Sequence, residues 1–220
     1  MRSIDAVITW VDGSDKEYKK RLEKHLTTST NYKKQYLQAN EIEYCVKSIL
    51  KFAPFVRKIF IVTDSQKPGF SGLEDLIVSN KVKVVDHKEI FKGYEKYLPT
   101  FNIRSIDAVL HRIEDLSETF VYFNDDVFLI NKICEEDWFV KNKAVLMGKW
   151  ATSYSISPFK VLSGTFKKLF GLRPSFNASQ SKAANISGFK KEYFKSYHTA
   201  RPQIKSLIKD FYNKNPETLI

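Results

Sequence analysis

Residues 119–136 read TFVYFNDDVFLINKICEE. The run Phe120–Phe123 has the aromatic and β-branched make-up of a buried strand, yet it stops in Asn124, Asp125 and Asp126 before apolar residues resume at Val127, Phe128, Leu129 and Ile130. Two adjacent carboxylates between apolar runs repel each other and resist desolvation. At the end of a strand, aimed into a cleft, such a pair can hold Mg²⁺ or Mn²⁺, because these ions prefer hard oxygen ligands. The competing reading is a turn in which one Asp caps a backbone N–H and the other stays solvated.

Outward from this stretch the pattern alternates. Ile4–Val11 (IDAVITWV), Lys58–Thr63 (KIFIVT) and Val82–Asp86 (VKVVD) are short β-branched runs, each ending in polar residues. Between them lie helical patterns: a charged run Lys16–Leu26 behind the turn Asp12-Gly13-Ser14-Asp15, and Glu41–Phe52 with Ile42, Val46, Ile49 and Leu50 at helical spacing before Pro54. Ser105–Ile113 reads as a further helix and Gln203–Asn213 as a last amphipathic one. The alternation predicts an α/β fold with a mostly parallel sheet and flanking helices, in which ligands gather at the carboxyl ends of the strands. Asp12 to Asp15, Asp64, and Asn124 to Asp126 then lie along one edge. From Phe159 the periodicity loosens, and the stretch to Gly188 reads as a long basic loop or lid. The expected division is an α/β core over 1–150 and a basic lid and acceptor-side segment over 151–220.

At 220 residues, 43% of them hydrophobic and 14% aromatic, the chain can bury a substantial core and is not a disordered protein. Cys45 and Cys134 stand alone, which argues against a disulfide framework or a zinc site. No apolar run is long enough to span a bilayer, and MRSIDAVITW enters a strand-like segment without the sections of a signal peptide. The expected location is the cytoplasm, with peripheral association at the inner face of the cell membrane as a further possibility. The formal charge of +11 is unevenly placed: residues 1–140 hold 21 Lys/Arg against 22 Asp/Glu, and residues 141–220 hold 15 against 3. That asymmetry suits a phosphate-rich partner, or else a solvated lysine-rich surface.

Further candidates follow from position. Trp10-Val11-Asp12-Gly13-Ser14-Asp15 closes the first strand, where Gly13 lets the backbone approach a nucleotide and Asp15 can accept from a hydroxyl; an ordinary capped turn is the alternative. His198, in SYHTARP with Arg201 three residues on, is a candidate base in a cationic neighbourhood. His111-Arg112 closes a helix, where capping competes with phosphate binding, and His87 after VVD has no distinguishing context.

Taken together, IDAVITWVDGSD, YCVKSILKFAPFVRKIFIVTDSQKP, VKVVDHKEIF, LPTFNIRSIDAVLHRIEDLSETFVYFNDDVF and SYHTARP resemble, in order and spacing, the Stealth family of sugar-1-phosphate transferases. The resemblance implies a glycosyltransferase-A-like fold, a UDP-sugar donor, a divalent metal (Mg²⁺ or Mn²⁺), and an oligosaccharide or phosphate-linked capsule polymer as acceptor, with no nucleic-acid partner. It implies transfer of the sugar with its attached phosphate to an acceptor hydroxyl, releasing UMP and leaving a phosphodiester. It puts Trp10, Val11, Gly13, Asp15, Asn102 and Arg112 at the donor, Asp125 and Asp126 at the metal, and His198 or Asp126 in the role of base. Lys47, Ile103 and Gly69-Phe70 depart from the family's usual residues. The family's third region continues past the helix after the histidine, so the chain is expected to be cut short relative to the family. An ordinary UDP-sugar glycosyltransferase and a non-catalytic polyanion-binding module remain as alternatives.

Overall fold

A computed structural model describes residues 3–25, 39–154, 156 and 175–218. The strands are β1 (Ile4–Thr9), β2 (Ile59–Thr63), β3 (Val82–Asp86), β4 (Thr119–Asn124), β5 (Phe139–Val140), β6 (Lys143–Ala144), β7 (Gly148–Thr152), β8 (Glu192–Ser196) and β9 (Arg201–Ile204). The α-helices are α1 (Lys16–His25), α2 (Glu41–Phe52), α3 (Leu73–Val78), α4 (His87–Ile90), α5 (Ile103–Val109), α6 (Phe176–Ile186) and α7 (Lys205–Lys214). Backbone contacts group the chain into two units, Met1–Val145 with Ala200–Ile220, and Leu146–Thr199. The last segment, which the division at residue 150 assigned to the acceptor side, thus packs with the core, because Arg201–Ile204 adds a strand to the main sheet.

The first unit is built on a five-stranded sheet of order β3-β2-β1-β4-β9. Four strands are parallel and β9 runs antiparallel on the edge beside β4. This is the mixed α/β, mostly parallel sheet that the alternation predicts, in the 3-2-1-4 order of Rossmann-like folds. Both faces are covered, so every position of β1 and β2 is buried. Ile4, Ala6, Ile8, Ile59, Ile61, Val121 and Phe123 pack with Ile42, Val46 and Ile49 of α2. Each of those helix side chains contributes about 2 kcal/mol of burial. Val7, Phe60, Val62, Phe120 and Tyr122, on the alternate positions, pack on the opposite side with Ile106 and Val109 of α5 and with Ile208 and Tyr212 of α7.

Several boundaries differ from expectation for identifiable reasons. The helix expected over Ser105–Ile113 starts at Ile103, where Asn102 caps it, and tightens into a 3₁₀ turn at Leu110–Arg112. The last helix begins at Lys205 rather than Gln203, because the preceding residues pair with β4. Val127–Ile130 do not extend the strand: Val127 and Leu129 pack on the core while Phe128 and Ile130 are exposed.

The second unit pairs β7 with β8 in antiparallel register, and α6 packs on β8. Ser181 of α6, fully buried, accepts from Tyr154 N and meets Ser153 Oγ. Helix α6 is capped by Ser175 and occupies part of the segment expected to be a loop. Residues 159–174 of the expected lid lie outside the described residues.

Candidate active site

Because β1, β2 and β4 are parallel, their carboxyl ends share one edge, and the residues that follow them meet there. A cavity of about 380 Å³ opens at this edge, within the range of small-molecule sites. Thr9, Trp10, Val11, Val62, Asn124, Asp125 and Asp126 line it from the sheet; Tyr18 of α1, Glu41 of α2, His87 of α4, and Thr100, Phe101, Ile103 and Ile106 at α5 complete it. The lining includes the acidic pair Asp125 and Asp126 and the aromatic rings of Tyr18 and Phe101, which meet edge to face at 5.5 Å.

The turn Asn124–Val127 closes with Val127 N donating to Asn124 O at 3.1 Å. Asp125 is half-buried and Asp126 exposed, so the paired carboxylates sit at the cavity mouth and not within the core. Their solvation is supplied by the cleft, which removes the desolvation cost that the flanking apolar residues suggested. Beneath them lies Cys45, fully buried, its Sγ 3.9 Å from Asn124 O. Burial pushes that thiol up, and the charges of Asp125 and Asp126 add to the effect, so Cys45 stays a neutral floor.

The donor set fits a small hard cation. Among the described residues no group of three or more His, Cys, Asp and Glu is arranged to hold a metal. A pair of carboxylates at a cavity wall is nevertheless what Mg²⁺ and Mn²⁺ use when substrate phosphates and water supply the other ligands.

The turn after β1 is held from two sides. Asp12 Oδ1 accepts from Ser14 N at 2.7 Å and from Ser14 Oγ at 2.6 Å. The side-chain amide of Gln66 brackets the backbone of Asp12, accepting from its N at 2.8 Å and donating to its O at 3.0 Å. Gly13 is buried in the turn. Asp15 accepts from Tyr18 N at 2.6 Å and caps α1, the alternative that the sequence left open.

Of the predicted residues, Trp10, Val11, Asp125 and Asp126 therefore line one cavity. Gly13 and Asp15 shape the turn beside it. Asn102 caps α5 between the lining residues Phe101 and Ile103, accepting from Arg104 N at 3.2 Å. Arg112 does not line the cavity: it donates to Ile90 O and Lys92 O, and its guanidinium lies 4.8 Å from the Tyr94 ring centre. His198 belongs to the second unit and is exposed; the neighbouring Tyr197 N donates to Met147 O at 2.9 Å.

His87, which has no distinguishing context in the sequence, is a wall of the cavity. It is 3% exposed, and its Nδ1 is buried without a hydrogen-bond partner. Burial lowers its pKa, opposed by Asp64 and Asp86. The signal that was available is its place directly after β3, at the same strand edge as Asp64 and Asn124.

These features define a Rossmann-like α/β domain whose cavity, at the carboxyl edge of a mostly parallel sheet, is lined by an acidic turn and by aromatic residues. Residues 2–29 match Stealth protein CR1, conserved region 1, and residues 35–147 match Stealth protein CR2, conserved region 2; the chain belongs to the Stealth family. It is 41% identical over 145 residues to the capsular polysaccharide phosphotransferase fcs1 of Haemophilus influenzae, covering 63% of this chain and 38% of that protein. It is 31% identical over 228 residues to the capsular polysaccharide phosphotransferase LcbA of Neisseria meningitidis, covering 97% of this chain and 61% of that one. With the exopolysaccharide phosphotransferase SCO6021 of Streptomyces coelicolor it shares 38% identity over 145 residues, 63% of this chain and 26% of the relative. The matches thus span from about a quarter to about three fifths of these relatives. Among solved structures it is similar to 4-diphosphocytidyl-2C-methyl-D-erythritol synthase from Anaerococcus prevotii, at a TM-score of 0.38 and 14% identity, over all of this chain and 77% of that one.

Proposed function

We propose that the chain is the donor-binding part of a sugar-1-phosphate transferase of capsule synthesis. A UDP-sugar binds in the cavity, and its sugar phosphate is passed to a hydroxyl of an oligosaccharide or phosphate-linked polymer, releasing UMP. The observation that carries this reading is the meeting of Trp10 and Val11 with Asp125 and Asp126 in one cavity at the carboxyl edge of the sheet. A nucleotide combines the same two kinds of group, a planar base that suits Tyr18 and Phe101 and a diphosphate that needs its charge offset. The relatives named phosphotransferases support the reaction class.

In this reading Asp125 and Asp126 would hold Mg²⁺ or Mn²⁺, which when bound would neutralise charge on the diphosphate. The turn at Asp12–Asp15, fixed by Gln66 and by the cap on α1, offers its backbone to the nucleotide. Cys45 stays protonated below the turn and adds no third charge. Asp126, at the cavity wall, and His198 are the two candidates for the base that takes the proton of the acceptor hydroxyl. The bond that forms joins the acceptor oxygen to the sugar-bound phosphorus; the bond that breaks is the diphosphate bridge, and its electron pair leaves with UMP. The second unit, with nine Lys/Arg against one acidic residue, suits an anionic acceptor polymer. Such a protein would work in the cytoplasm or at the inner face of the membrane. Among the described residues no helix is long and apolar enough to cross a membrane.

The test is incubation with a panel of UDP-sugars, Mg²⁺ or Mn²⁺ and a capsule-type oligosaccharide, with the nucleotide product identified. UMP and a new phosphodiester are expected. UDP would mean cleavage at the anomeric carbon by an ordinary glycosyltransferase. Retention of the polymer without nucleotide turnover would mark a polyanion-binding module.

A further inference from the structure

At the rim of the cavity, where α2 meets the acidic turn, two aromatic side chains are exposed. Tyr44 is 63% exposed and Phe128 41%, and their rings meet edge to face at 6.3 Å. Each adjoins a residue of the cavity wall: Tyr44 lies one helical turn beyond Glu41 on α2, and Phe128 comes directly after Asp126 and Val127. The segment that carries Phe128 is strapped along α2. Asn124 O lies 3.9 Å from Cys45 Sγ, Leu129 N donates to Ser48 Oγ at 3.1 Å, and Ile133 N donates to Phe52 O at 3.1 Å. The Ser48 hydroxyl in turn donates to Cys45 O at 2.8 Å. Val127, Leu129 and Ile133 pack on the core between these ties, so Phe128 is turned outward on a backbone held in one place.

The size of this pair decides what it suits. A stable protein partner covers about 800 Å² of each surface, whereas one aromatic side chain offers at most about 150–250 Å². Two partly exposed rings are too small for the first. A single pyranose ring matches them, because its face of C–H groups, made slightly positive by the sugar oxygens, rests on the negative face of an aromatic ring while its hydroxyls stay at the edge. That edge is polar here: Lys47, the next turn of α2 after Tyr44, is half-exposed and paired with Glu43. We propose that Tyr44 and Phe128 form a shelf that seats a sugar ring of the acceptor beside Asp125 and Asp126, while the donor occupies the cavity. The assignment of that sugar to the acceptor rests on the function proposed above; the fit of the shelf to a pyranose ring does not.

The experiment uses the full 220-residue chain and saturation-transfer NMR, with the methyl glycosides of glucose, galactose and N-acetylglucosamine as probes, each alone and with UDP or UDP-glucose plus Mn²⁺. At least one glycoside is expected to take up saturation at its ring C–H protons, and to lose about fivefold or more of that signal in Tyr44→Ala/Phe128→Ala. Tyr44→Trp, which keeps an aromatic face, should retain the signal. Tyr44→Ser, at an exposed helix position, gives the same reading if the double variant does not fold. Affinity for UDP with Mn²⁺ should stay within about twofold of the parent in every variant, since neither ring lines the cavity. No uptake by any glycoside, or uptake that survives both losses of the rings, overturns the shelf. Displacement of the glycoside by UDP-glucose and not by UDP would make the rings a seat for the donor's own sugar and overturns the acceptor assignment. A parent that dimerises in sedimentation, variants that do not, and no glycoside uptake would make the pair a contact between copies, which also overturns it. Glycoside uptake in a parent that binds no UDP supports the shelf and removes the nucleotide reading of the cavity.

Discussion

At the scale of single residues, the acidic turn and His87 make separable predictions. Asp125→Asn and Asp126→Asn each remove one negative charge from the cavity wall while keeping side-chain size. Each is expected to reduce Mn²⁺ binding at least tenfold with little change in melting temperature, read by titration of the free ion and by thermal melts. Parent-like Mn²⁺ affinity in both variants would sink the assignment. His87 predicts a pH effect. Its native ring, held neutral by burial, binds a proton less readily than in the unfolded chain, where the value is about 6.5. As pH falls, the unfolded state therefore takes up the proton first. The stability contribution is full above about pH 6.5 and is lost below it. His87→Gln should flatten the fall in melting temperature between about pH 7.5 and 5.5. Some slope should remain from His111, whose pKa burial also lowers. An equal slope in parent and variant would show that His87 does not carry the effect.

At the scale of elements, the cap on α1 joins stability to the site. Asp15 accepts from Tyr18 N, and Tyr18 is a wall of the cavity, so the residue that starts the helix also sets where that wall stands. Asp15→Ala is expected to destabilise the ligand-free protein by about 1 kcal/mol, measured by urea unfolding, with Asp15→Ser recovering most of it. An unchanged midpoint with weakened nucleotide binding would instead make Asp15 a direct ligand. The periodicity of Glu41–Phe52 made α2 readable in advance, because an amphipathic helix carries its pattern locally. By contrast β9 was hidden. Arg201–Ile204 is short and contains Pro202, and only pairing with the edge of β4 makes it a strand.

At the scale of the whole molecule, the end of the sheet opposite the cavity is stapled by one buried carboxylate. Asp5, fully buried, accepts from Arg57 Nε at 2.9 Å, from an Arg57 terminal nitrogen at 2.7 Å and from Ser117 N at 2.7 Å. It thereby ties β1 to the segments that lead into β2 and β4, the strands whose far ends build the site. Asp5→Ala is expected to cost about 3 kcal/mol by chemical denaturation, because it leaves the Arg57 charge and the Ser117 N–H without their partner. A loss below about 1 kcal/mol would mean that water replaces the carboxylate at little cost.

What the sequence determined by itself was local in origin. Short apolar, β-branched runs specify β1 to β4 and a period near 3.6 specifies α2; parallel strands force their polar tips to one edge, so Asp12 to Asp15, Asp64 and Asn124 to Asp126 could be placed together before any coordinates. The tertiary structure decided what depends on residues far apart in the chain. It sealed His87 into the cavity wall, spent Arg112 on the carbonyls of Ile90 and Lys92, set Gln66 against Asp12, and stacked Arg201 on Tyr122. Each of these depends on which strand lies beside which, and a side chain's own neighbourhood in sequence carries no record of that.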